Sequence, residues 1–139
     1  MKTSRSQFLV FTFVLAIGIS IVAVSPAFAQ HGFSVPEYEQ FHDVLHPLEH
    51  EALPKKDFKR IRSKAPELVK RGKAIVAVGV PAGTAEDKKQ EFKNQLSSFN
   101  KALSKFRAEA RTGSNSRLQK SYSAVHDQFE MLASMLPRS

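Results

Sequence analysis

From residue 36 onward the apolar residues of this chain recur every three or four positions, with polar residues between them. Tyr38, Phe41, Leu45, Leu48 and Ala52 form the first such stripe, which predicts an amphipathic helix over 36–52. Pro36 suits its first position, where the missing N–H would have no partner in any case. Pro47 lies inside it and deprives the Asp43 carbonyl of a donor, so a kink is expected between the two. Leu53-Pro54 closes the element. A second helix over 57–78 is predicted by Asp57 as its cap and by Phe58, Ile61, Ala65, Leu68, Ile75 and Val78. Pro66 in its middle marks a further kink or a break. The run Gly79-Val80-Pro81-Ala82-Gly83 is a loop.

Thr84, with Asp87 three residues on, reads as the N-cap of a third helix. Phe92, Leu96, Phe99, Leu103, Phe106 and Ala110 give that helix its apolar face, at alternating steps of four and three. Thr112-Gly113-Ser114-Asn115 stops it and caps a fourth. That last helix carries Leu118, Tyr122, Val125, Phe129, Leu132 and Leu136 and ends at Pro137. Four amphipathic segments with short connections predict an all-α fold, an antiparallel up-down four-helix bundle with its first and last helices adjacent. Residues 30–34 read as a loose arm.

The first 29 residues follow other rules. Lys2 and Arg5 precede an almost wholly apolar run from Phe8 to Val24, and Ala27-Phe28-Ala29 has the small-x-small form of a cleavage site. A cleavable signal peptide over 1–29 is expected, leaving a bundle domain over 30–139 in the bacterial periplasm, with no stable membrane insertion after cleavage. The chain has no cysteine, which excludes disulfides, thiolate ligands and covalent haem attachment. Of its 21 Lys+Arg two leave with the signal, so 19 face 13 Asp+Glu, formally +6. These charges are spread along helices instead of forming a run. With the export signal, that argues against a nucleic-acid partner and leaves a periplasmic protein partner open.

The chemistry-bearing stretch is Phe41-His42-Asp43-Val44-Leu45-His46-Pro47-Leu48-Glu49-His50. Three of the chain's five histidines recur there at every fourth residue, along one side of a helix. At about 100° per residue, His42 borders the apolar stripe, His46 lies further round and His50 further still toward solvent. His126 holds the matching border position on the last helix, so His42 and His126 are expected to share a centre. His46 joins them if Pro47 swings it inward, and Glu49 and Glu130 stand within a turn of histidines as assisting carboxylates. His-x3-His with a third histidine suits copper, zinc or nickel. His31, in the arm beside a freed N-terminus, offers a secondary copper site.

Helix three, its glycine turn and helix four with Ala124-Val125-His126-Asp127-Gln128-Phe129-Glu130 resemble the cytochrome b562 and cytochrome c′ family over most of the mature chain. The resemblance implies that His126 is an axial haem ligand with an aromatic three residues later, Phe129. Tyr122 and Val125 stand where cytochrome c′ carries cysteines, and the first helix lacks the methionine of cytochrome b562. The family would therefore imply a non-covalent b-type haem, with His42 as second axial ligand, for electron transfer.

An enzyme is not expected. There is no nucleophile elbow and no Gly-rich phosphate loop. His46-Pro47-Leu48-Glu49-His50 spells H-x-x-E-H, the inverted zincin motif. Pro47 inside the motif, in a chain too short for a large substrate cleft, sets that spelling aside. Three readings remain: a metal-binding or metal-trafficking protein, a b-type haem protein, and a cofactor-free bundle that binds another envelope protein.

Overall fold

The computed structural model describes residues 32–137, so the expected signal segment and His31 lie outside the described residues. These residues form a four-helix bundle without strands: α1 Pro36–Pro47, α2 Phe58–Val78, α3 Lys89–Thr112 and α4 Asn115–Ser134. None of the described helices is long and apolar enough to cross a membrane. The predicted stripes meet in one core. Tyr38, Phe41, Leu45 and Leu48 from the first segment, Ile61, Leu68 and Ile75 from α2, the phenylalanines of α3 and the Leu118-to-Leu132 stripe of α4 are all buried. Aromatic rings join the helices edge to face: Phe41 lies 5.4 Å from Phe99, and Phe106 lies 6.0 Å from Tyr122.

Side chains cap two of the four helix N-termini and one C-terminus. Asp57 accepts from the Arg60 N–H at 3.0 Å and Ser114 from the Arg117 N–H at 3.3 Å, each satisfying a donor that the first turn leaves free. Arg62 does the converse for α3. Its guanidinium donates to the Glu109, Ala110 and Gly113 carbonyls at 3.0, 2.9 and 2.8 Å, reaching Ala110 among the acceptors that the last turn leaves free. At Gly72, α2 and α3 approach so closely that a Cβ would lie 2.6 Å from a methyl of Leu103. This explains why Gly72 and neighbouring Val69 are buried although neither belongs to the predicted apolar stripe.

The structure differs from the sequence expectation at five places. After Pro47 the first segment changes register. A π turn, Leu48–Ala52, follows α1, and the Leu53 N–H donates to the Leu48 carbonyl five residues back. Pro66 does not break α2, which runs on through it; the proline is exposed on the solvent side. Thr84 does not cap α3, because its hydroxyl turns back to the Pro81 carbonyl at 2.8 Å. A short 3-10 segment, Glu86–Lys88, leads into the helix instead. Val78 is 40% exposed, at the very end of α2. Finally, the arm over 32–35 is docked. The Phe33 ring packs 5.7 Å from Phe129 and 5.6 Å from His42, and the Ser34 hydroxyl donates to the Pro137 carbonyl.

Candidate metal centre

The seam between α1 and α4 is closed by large side chains. Phe129 packs 4.7 Å from Phe41 and 5.9 Å from Tyr38, and the Tyr122 hydroxyl donates to the Leu45 carbonyl at 3.1 Å. That carbonyl also accepts the Leu48 N–H, so the end of α1 is anchored to α4 at the point where the π turn begins. Burial pushes the Tyr122 phenol far above its ordinary range, and the Glu49 carboxylate beside it adds to the shift. Glu49 stands beside this phenol, and its Oε2 is buried without a hydrogen-bond partner by distance and angle among the described residues.

The histidines stand along the same seam. His42 is half-buried, its ring stacked 6.3 Å from Phe129 at an interplanar angle of 24°. Its ring lies 5.3 Å from that of His46, which lies 4.3 Å from that of His50; both of these are exposed. The donor atoms that converge around His42 are those of Glu39 and Asp43, and the three groups offer ligand atoms all within 4.8 Å of one another. Among the described residues this is the group of three or more potential ligands that meets that distance. The Phe33 N–H donates to Glu39 Oε2 at 3.2 Å and so orients the carboxylate from outside the group.

The sequence-predicted residues are therefore only partly gathered. His42 is central and His46 adjoins it, whereas His126, Glu49 and Glu130 lie outside the converging trio. His126 is one turn beyond Tyr122 on α4. Its side chain is 30% exposed, and Nδ1 lies 3.4 Å from Asp127 Oδ1. Glu130 is exposed. Glu39 and Asp43 escaped the sequence reading, which followed the four-residue histidine spacing. The signal available was Glu39-x-x-His42-Asp43, a carboxylate one turn before the histidine and another directly after it.

Haem does not fit the seam. A porphyrin carried inward by His126 would have to displace Phe129, which is wholly buried against Tyr38 and Phe41. A bare ion fits better. One imidazole and two carboxylates, partly open to solvent, form a mixed nitrogen and oxygen donor set that borderline divalent metals accept. Comparisons with protein-family models, with curated proteins and with solved structures returned no match to this chain.

Proposed function

We propose that this is an exported, metal-binding four-helix bundle of the bacterial periplasm. It holds a transition-metal ion such as copper, zinc or nickel on the α1 side of the α1–α4 seam. The observation that carries this reading is the convergence of Glu39, His42 and Asp43 within 4.8 Å. His42 is the anchoring ligand, the two carboxylates complete the α1 contribution, and His126 is the donor proposed from α4. The orphaned Glu49 Oε2 supports a cation in the same seam, since a buried acceptor with no partner is costly. The role is binding or trafficking of metal, not catalysis, and a periplasmic protein is the proposed recipient.

The up-and-down, antiparallel order of the helices belongs to this proposal because it sets α1 beside α4. It is supported by pairings between opposite ends. Ser34, before α1, bonds Pro137, beyond α4; Gln95 near the start of α3 bonds Gln128 near the end of α4; Arg62 near the start of α2 caps the end of α3. The export reading rests on residues 1–29 alone.

The test is elemental analysis and an absorption spectrum of the purified protein, followed by zinc titration of wild type and His42→Ala. Bound metal without a Soret band, and loss of the zinc site in His42→Ala, are expected. A Soret band would replace the proposal with the haem reading. A protein that takes up neither metal nor haem would leave the cofactor-free interaction bundle.

A further inference from the structure

The spacing of the three seam histidines is not uniform, and the cause lies in the backbone. His42 to His46 is a step of four residues in α register, and His46 to His50 is a step of four that crosses into the π turn. Four α-helical steps of about 100° overshoot a full turn by roughly 40°. This is why the sequence placed each histidine further round than the last. A π turn holds more residues per turn, so each step rotates the chain by less and the overshoot disappears. His50 is thereby returned to the line of His46. The ring separations are in keeping with this: 4.3 Å for His46–His50 against 5.3 Å for His42–His46.

We infer that the π turn builds a second metal site, a two-histidine chelate formed by His46 and His50, separate from the group around His42. Two imidazoles side by side on one ion, with metal–nitrogen bonds of about 2.0–2.1 Å, place their ring centres roughly 4.5–5.5 Å apart. His42–His46, at 5.3 Å, lies inside that range and His46–His50, at 4.3 Å, a few tenths of an ångström below it; what distinguishes the second pair is that both of its rings are exposed, free to adjust and outside the group around His42. Two neutral imidazoles with water in the remaining positions select copper(II), nickel(II) or zinc over calcium or magnesium. The segment that presents them is pinned at both ends. Tyr122 holds Leu45 at its start, and the Glu51 carboxylate pairs with Arg60 at 2.8 Å at its end. Two prolines, Pro47 and Pro54, bracket the turn and cannot donate to an uninterrupted α-helical ladder.

The inference goes beyond the proposed function and can fail without it. The experiment is calorimetric nickel titration of the purified protein, with imidazole resonances followed by NMR under zinc. Wild type, His42→Ala, His50→Ala and Pro47→Ala share one N-terminus, so any contribution from His31 cancels between them. Wild type should take up two ions. His50→Ala should lose one class of site and keep the other, His42→Ala should do the reverse, and the His46 and His50 resonances should shift together. Pro47→Ala keeps every ligand but allows α register to continue, and should weaken the second class about tenfold while leaving the His42 class unchanged. A His50→Ala titration indistinguishable from wild type overturns the second site. So does a single ion lost equally from His42→Ala and His50→Ala, which would mean one shared centre. Loss of binding in His50→Ala with none in His42→Ala would instead uphold the chelate and remove the His42 centre.

Discussion

Two buried tyrosines show how a single atom decides what a residue contributes. Tyr38 and Tyr122 are both wholly buried, but the Tyr122 hydroxyl donates to Leu45 while the Tyr38 hydroxyl has no partner among the described residues. Tyr122→Phe should lose about 1 kcal/mol, the net worth of a typical hydrogen bond. Tyr38→Phe should leave stability unchanged or raise it by up to about 1–3 kcal/mol, the penalty of an unpaired buried polar group. Burial raises the pKa of both phenols above the unfolded value of about 10. A raised acid favours the fold while it is protonated. Their contribution is thus complete below about pH 10 and is lost as the pH rises beyond it, because the unfolded chain ionises first. Urea unfolding at pH 7 and pH 11 measures both effects. A loss above 1 kcal/mol in Tyr38→Phe at pH 7 would show that its hydroxyl is bonded after all. Neither behaviour was legible in the sequence, where both tyrosines read simply as apolar-stripe residues.

For whole elements, the periodicity of apolar residues was a sufficient guide to which segments are helices and which faces they bury. Phe92, Leu96, Phe99, Leu103 and Phe106 on α3 were all read correctly as core because no proline or glycine interrupts their spacing. Phe99→Ala should cost about 3–5 kcal/mol, the range for truncating a buried aromatic, checked by denaturant melts. A cost below about 1 kcal/mol, the range of surface changes, would mean that this face is not core. The prolines were harder to read. A proline states which bond is lost and not how the chain responds. At Pro66 the response is nothing visible in the helix span, while after Pro47 it is a change of register. What separates them is tertiary. Leu45, two residues before Pro47, is tied to α4 through Tyr122, and the same chain must reach the Asp57 cap within ten residues. Thr84 failed as a cap for a similar reason: a closer carbonyl, that of Pro81, took its hydroxyl.

At the scale of the molecule, the sequence reading followed the histidine spacing and passed over Glu39 and Asp43, because helical spacing ranks residues by angle and cannot weigh a folded-back arm. Phe33 covers the inner edge of His42 and its N–H fixes Glu39, turning the first two turns of α1 into a donor group. If that group and the proposed α4 donor hold an ion together, binding must act on the stability of the whole bundle. The unfolded chain scatters the ligands, so an ion at a hundredfold excess over its dissociation constant should stabilise the fold by about 2.7 kcal/mol. Imidazole must be neutral to bind, so the gain should shrink in acid. His126→Ala tests whether the centre spans the seam. A ligand set from α1 alone would bind without tying two helices, and the variant would then melt like wild type at every metal concentration. A spanning centre predicts that His126→Ala loses most of the metal-induced rise in melting temperature, measured against its own metal-free melting point. Thermal melts with and without zinc at pH 7.5 and pH 5.5 supply the comparison. An equal rise in both proteins at pH 7.5 would confine the ion to Glu39, His42 and Asp43.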